Sequence, residues 1–287
     1  MGLAANPMEK LARYASFVKV EHTLFSLPLI LSGVFLGSRG FPGLKPLFLI
    51  LLAGFGARTV ALGVNRIIDR RIDGLNPRTR SRELPSRRMS LGEALGVVAF
   101  GLAVYFVAAF FICRLVFYLS PLPIVVFLIY PYMKRFTPLC HFGVGLGLAL
   151  APIAGYVAAS CSFEGAAPAL LLSLFTLLWV SGFDIIYATL DEEFDKSHGV
   201  YSLVARYGRR KALFVSGVLH LLSFLSLVVI HAVYLSGIPA LVFLLVAGFL
   251  LYAEHRRAHD VDLAFFKINA ALGFVVFLFV LSGIYLA

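Results

Sequence analysis

Nine runs of about 17 to 25 mostly apolar residues succeed one another along the chain. They lie at about 17–38, 44–65, 91–112, 116–133, 139–160, 167–187, 210–232, 236–253 and 264–286. Wound as a helix, a run of that length matches the hydrocarbon thickness of a bilayer. Lipid offers no partner to a backbone N–H or C=O, so each run has to satisfy its own hydrogen bonds as a helix. The expected fold is therefore all-α, a polytopic membrane protein with nine transmembrane helices in one bundle. A hydrophobic share of 60% and a mean hydropathy of +0.92 lie well above what a soluble domain carries. No soluble linker separates the runs, so residues 1–287 read as a single domain.

Charge placement orients the bundle. With nine crossings, the N-terminus and the connections after runs 2, 4, 6 and 8 share one side. The opposite side holds Arg39, Lys45 and Arg114, and Arg58 lies inside run 2, which leaves 21 of the 25 Lys and Arg on the first side. The positive-inside rule makes that side cytoplasmic. Topology thus accounts for the net charge of +10, and no nucleic-acid partner is implied. Cys113, Cys140 and Cys161 have neither metal-ligand nor disulfide-framework spacing.

Acidic residues are few, and two groups of them have helical spacing. Asn65, Asp69 and Asp73 lie four apart, so they drift by only about 40° per step around a helix and share one face. Asp184, Asp191 and Asp195 fall within about 20° of one line if their helix is continuous. Beside the first ridge, the connection after run 2 carries Arg78, Arg80, Arg82, Arg87 and Arg88, and run 4 ends in Tyr130, Lys134 and Arg135. The guanidinium fork suits phosphate oxygens. Arg58 lies two turns inside run 2 on the face of Asn65, about 10 Å deeper by helix rise, where a charge requires a counter-charge or a water-filled cavity. A buried Arg58–Asp184 ion pair is the alternative to a ligand-binding role. Glu21 and His22 stand at the entry to run 1. The segment after run 6 is amphipathic and of a length typical of lids.

Carboxylates alone repel an anionic ligand, and arginines alone need no carboxylates. Mg²⁺, held by one or two carboxylates together with substrate phosphates, reconciles the two. Two facing ridges suit two such ions and an organic diphosphate whose tail stays in the bilayer.

The motifs N-x-x-x-D-x-x-x-D (Asn65, Asp69, Asp73) and D-x-x-x-D (Asp191, Asp195) resemble those of the UbiA superfamily of intramembrane prenyltransferases. So do the NPRT-x-x-R-x-x-P loop through Asn76, Thr79, Arg82 and Pro85, and the D-x-x-Y-x-x-x-D run of Asp184, Tyr187 and Asp191. EHTLFSLP and MKRFTPLCH are similar to segments of 4-hydroxybenzoate polyprenyltransferases. The resemblance implies nine transmembrane helices around a central cavity, with cap loops at about 66–90 and 188–209, and Mg²⁺-dependent transfer of a polyprenyl group from an isoprenyl diphosphate to an aromatic acceptor in quinone biosynthesis, through an allylic carbocation. Asn65, Asp69, Asp73, Asp191 and Asp195 are then the metal ligands, and Arg78, Arg82, Arg87 and Lys134 hold the diphosphate, with Tyr130 and Tyr187 beside it. Arg58 meets the carboxylate of a benzoate, and Asp184 or Asp191 orients its hydroxyl or takes the ring proton. An ether-lipid glycerol phosphate and a menaquinone precursor remain open as acceptors. A CDP-alcohol phosphotransferase does not fit, because Asp73-Gly74 continues as LNPR where that signature needs x-x-A-R. A cation-coupled transporter explains buried charge but not acids and arginines crowded on one rim.

Overall fold

The computed structural model describes residues 7–19, 23–258 and 267–286, and among these the chain is helical with no strand. Glu21, His22 and the first residues of the ninth run lie outside the described residues. In order the helices are α1 (Pro7–Phe17), α2 (Thr23–Ser38), α3 (Leu44–Leu75), α4 (Leu91–Ile112), α5 (Arg114–Leu119), α6 (Pro121–Met133), α7 (Cys140–Ser160) and α8 (Ala167–Ala188). A 3-10 turn (Thr189–Asp191) leads into α9 (Glu192–His198), followed by α10 (Leu203–Tyr207), α11 (Arg209–Val233), α12 (Ile238–Arg256) and α13 (Asn269–Tyr285). Seven segments are long and apolar enough to cross a bilayer, and two shorter apolar helices, Ser26–Ser38 and Asn269–Tyr285, occupy the first and ninth runs.

Helix α3 outlasts the second apolar run by ten residues and carries the first acidic ridge on a continuous helix to Leu75. It stops where Pro77 forces the preceding residue out of the α region, leaving Asn76 extended at φ −83° and ψ 120°. Run 4 divides at Ser120, because Pro121 and Pro123 supply no backbone N–H to continue the ladder. Tyr105 of α4 steadies that break, donating its hydroxyl to the Ser120 carbonyl at 3.1 Å. Run 6 also ends differently from a single straight helix. The three residues of the 3-10 turn advance about 120° each instead of 100°, which rotates the residues beyond it by roughly 60°. Asp191 and Asp195 therefore stand about 40° and 80° from Asp184, the same drift that Asn65, Asp69 and Asp73 show on the first ridge.

Six helices close a ring, α2–α7–α8–α11–α12–α13 and back to α2, around the main apolar core. Trp179 and Phe175 of α8, Phe279 of α13 and Leu227 of α11 are fully buried in it. A second layer, α3 with α4 and α6, joins the ring through α7 and has its own smaller cluster at Val60, Val64, Val98 and Phe127. Helix α2 meets α7 nearly backbone to backbone. A Cβ on Gly33 would lie 1.9 Å from the Pro152 carbonyl oxygen, and one on Gly155 2.3 Å from that of Ile30. Small residues are what allow membrane helices to cross this closely.

Candidate active site

Pro77 turns the chain back after α3 into a series of tight turns that end where Ser90 and Glu93 form a capping box for α4. This arginine-rich segment is tied down at Glu83, which is 3% exposed. Glu83 accepts Ser16 Oγ of α1 and Arg66 Nη1 of α3, each at 2.6 Å, and its carbonyl accepts Met89 N at 3.1 Å. Burial pushes the Glu83 carboxyl up, but the Ser16 hydroxyl, its own backbone N–H and Arg66 together bring it below the usual range. Arg13 of α1 adds a hydrogen bond to the Arg88 carbonyl at 2.6 Å.

Held in this way, the segment aims two arginines at the acids. Arg82 Nη1 reaches both Asp73 oxygens at 2.9 and 2.8 Å. Arg78 grips Asp191 through Nε at 2.9 Å and through Nη2, donates from Nη1 to the Tyr187 hydroxyl, and lies 4.8 Å from the Tyr187 ring centroid. Asn76 Nδ2 donates to the same Asp191 oxygen at 2.8 Å. The end of α3 and the break after α8 thus meet, and the two acidic groups face a common space. On the first ridge Asn65 Nδ2 donates to Asp69 Oδ2 at 3.1 Å, and Lys134 Nζ reaches the same oxygen at 2.6 Å. Burial draws the Lys134 ammonium down, yet Asp69 outweighs it and holds it above the usual lysine range. Asp195 is buried, with Ser202, Asp191, Lys134 and His141 around its carboxylate. The segment after α8 is sewn to the α6–α7 junction by Tyr201, whose N–H donates to the Lys134 carbonyl at 2.7 Å and whose carbonyl accepts Cys140 Sγ at 3.2 Å.

Other expected residues stand further off. Arg58 donates to Ser26 Oγ at 3.0 Å and to the Lys19 carbonyl at 3.1 Å, between α3 and α2. Asp184 is engaged by His141 Nδ1 at 2.7 Å. The Tyr130 hydroxyl makes a 3.4 Å bond to the Ala61 carbonyl and feels both Asp69 and Asp184. Arg87 is exposed in the turn at φ 59° and makes no hydrogen bond or ion pair to either ridge among the described residues. The contacts of Asn76, Glu83 and His141 are not legible in the sequence pattern to the same degree. Asn76 carries a signal in the NPRT motif. Glu83 carries none, and His141 is marked only as the last residue of MKRFTPLCH, since their partners are 17 and 43 residues or more away in the chain.

The donor set suits a hard divalent cation. All candidate ligands are oxygens, and Asp69 Oδ1 is buried with no hydrogen-bond partner, with Arg135 Nη2 at 3.8 Å. Among the described residues, no three His, Cys, Asp or Glu side chains stand close enough to hold a metal by themselves. Mg²⁺ takes few protein carboxylates and completes its shell with water and substrate oxygens.

Known proteins resemble this chain in sequence and in fold. The 4-hydroxybenzoate octaprenyltransferase of Vibrio campbellii (strain ATCC BAA-1116) is 30% identical over 278 residues, which is 93% of this chain and 96% of that protein. The apo structure of a UbiA homolog from Aeropyrum pernix K1 has a TM-score of 0.84 at 33% identity, over 93% of this chain and 98% of that one. A UbiA homolog from Archaeoglobus fulgidus bound to DMAPP and Mg²⁺ shares the fold, with a TM-score of 0.75 at 18% identity over 94% and 97% of the two chains. Residues 26–268 match the model of the UbiA prenyltransferase family, and this chain belongs to that family as an intramembrane prenyltransferase.

Proposed function

We propose that the protein transfers a polyprenyl group from an isoprenyl diphosphate to 4-hydroxybenzoate in quinone biosynthesis. The observation that carries this reading is the meeting of the two acidic groups through Asn76 and Arg78, with Arg82 and Lys134 interleaved among the carboxylates. The names of the 4-hydroxybenzoate octaprenyltransferases support the acceptor, and the Archaeoglobus homolog with DMAPP and Mg²⁺ supports the diphosphate and the metal. The domain spans 1–287 with nine crossings, and the segments 66–90 and 188–209 cap the site on the cytoplasmic face of the cytoplasmic membrane, as the charge distribution favours.

Asn65, Asp69 and Asp73 on one side, with Asp191 and Asp195 on the other, would hold two Mg²⁺. When bound, the metal supplies Lewis-acid stabilisation of the departing diphosphate. Arg78, Arg82 and Lys134 bind the phosphate oxygens, and Arg87 guides the anion from the turn. Charge drawn onto these groups as the allylic C–O bond breaks lowers the barrier. The apolar interior keeps water from the allylic cation, with Tyr130 and Tyr187 at its polar edge. Arg58 pairs with the benzoate carboxylate. Asp191 is taken up by Asn76 and Arg78, so Asp184 is the carboxylate that orients the acceptor hydroxyl and receives the ring proton.

Kinetics of Arg58→Leu with both substrates varied provide the test. Loss of an arginine–carboxylate pair in a low-dielectric site raises the Michaelis constant for 4-hydroxybenzoate by one to two orders of magnitude, about 1.4 to 2.8 kcal/mol, with little change for the prenyl diphosphate. Parallel movement of both constants would assign Arg58 to the diphosphate or to structure and remove the benzoate reading.

A further inference from the structure

His141 lies in the first turn of α7, is 2% exposed, and has both ring nitrogens engaged. Nδ1 lies 2.7 Å from Asp184 Oδ2, and Nε2 lies 3.3 Å from the backbone nitrogen of Leu203. A backbone N–H only donates, so Nε2 is the acceptor, the proton sits on Nδ1, and Asp184 receives it. This imidazole therefore joins three elements. Leu203 opens α10, and its N–H is one of the donors that a helix start leaves without an internal partner. Ser202 caps the same end by accepting Ala205 N at 3.1 Å. Asp184 keeps 23% of its side chain exposed, so the bond from His141 leaves part of its carboxylate accessible.

We propose that His141 is a positioning residue for the acceptor half of the reaction: it aims the Asp184 carboxylate and, through Leu203, registers the segment 199–207 against it. A carboxylate with one oxygen fixed by a buried donor presents the other in a single direction. Because the same ring anchors α10, the aim of Asp184 depends on the segment that closes over the site. This inference rests on the reading of Asp184 as the acceptor-facing carboxylate.

Two substitutions divide the contacts of the ring. The amide of His141→Gln places an acceptor near the Nε2 position and loses the donor to Asp184, whereas His141→Asn places an N–H near the Nδ1 position and loses Leu203. In the full-length protein in detergent, His141→Gln is expected to raise the acceptor Michaelis constant about tenfold, as for loss of one hydrogen bond to a charged group, with the prenyl diphosphate constant unmoved. His141→Asn is expected to recover most of that loss while trypsin cleaves faster at Arg206 in the released α10. In an Asp184→Asn background, His141→Gln is expected to add nothing. Equal acceptor defects in the Gln and Asn variants, or additive effects with Asp184→Asn, overturn the assignment. An impaired Asp184→Asn beside an unaffected His141→Gln refutes the role of His141 alone, and an unaffected Asp184→Asn refutes the reading of Asp184 beneath it. Should His141→Gln aggregate, His141→Asn compared with His141→Ala carries the test, since only Asn restores the donor.

Discussion

Replacing Glu83 by alanine should loosen the arginine-rich segment without touching either acidic ridge. The carboxylate accepts from Ser16 and Arg66 at 2.6 Å each, and both Glu83 and Arg66 are buried, at 3% and 6% exposure. Removing one partner of a buried pair leaves the other charge uncompensated and costs about 3 to 5 kcal/mol. The rim position of this pair argues for the lower end, about 3 kcal/mol, which multiplies the open population of the segment by roughly a hundred. Trypsin reads that population directly, because the segment offers Arg78, Arg80, Arg82, Arg87 and Arg88. Cleavage there should accelerate about a hundredfold at low protease, where opening pre-equilibrates. Glu83→Gln retains shape and one neutral hydrogen bond and should fall between the two. The pH dependence has a fixed sign. A carboxyl held below its usual 4.5 stabilises the fold fully above that pH and loses the contribution as pH falls through the lowered folded value. The thermal midpoint of Glu83→Gln in detergent should therefore lie below wild type at pH 7 and converge with it as pH falls through the lowered folded value. Unchanged trypsin rates in Glu83→Ala, or a gap that widens toward acid pH, would refute the reasoning.

Asp191→Ala should reduce turnover by three or more orders of magnitude while the bundle keeps its thermal midpoint, and EDTA should silence the wild type; full activity in EDTA would remove the metal from the reaction. A cysteine at Ser86 should react with membrane-impermeant maleimide only after cells are opened, and labelling of intact cells would invert the orientation. Gly33→Ala drives a Cβ into the Pro152 carbonyl and should cost about 1 to 3 kcal/mol or more in thermal stability. Gly92→Ala, with open space around the new carbon, should be neutral or stabilising by up to about 1 kcal/mol. Equal midpoints for the two alanine variants would mean that the α2–α7 crossing tolerates separation.

Hydropathy located the helices well because the backbone rule in lipid leaves little choice of secondary structure. The same signal is blind to where a helix ends once it leaves the apolar run. α3 continues to Leu75 because nothing before Pro77 disfavours it, and the break at Ser120 lies inside uninterrupted hydrophobicity. On the first ridge, four-residue spacing on an unbroken helix was enough to place Asn65, Asp69 and Asp73 on one face. On the second ridge a 3-10 turn of three residues lies between Asp184 and Asp195, and the partners His141 of Asp184 and Arg78 of Asp191 come from other parts of the chain. Pairings such as Arg66–Glu83 and Lys134–Asp69 depend on how helices are arranged around the bundle, information that no local period contains.

The arrangement of charge bears on why metal and arginine occur together. Asp69 meets Lys134 and, at 3.8 Å, Arg135, while Asp73 meets Arg82 and Asp191 meets Arg78, so each of the three acids has a base of its own. Bases paired with acids are tolerable at the edge of a low-dielectric bundle, where an uncompensated set of arginines is not. Pairing also means that each arginine a diphosphate recruits from a carboxylate frees that carboxylate, which then requires positive charge of its own. Divalent ions would supply that charge at the oxygens the arginines give up, which would make metal and diphosphate mutually dependent ligands of a single interleaved site. On the proposed reading the carboxylates belong to the binding of an anion because they set how many cations must accompany it.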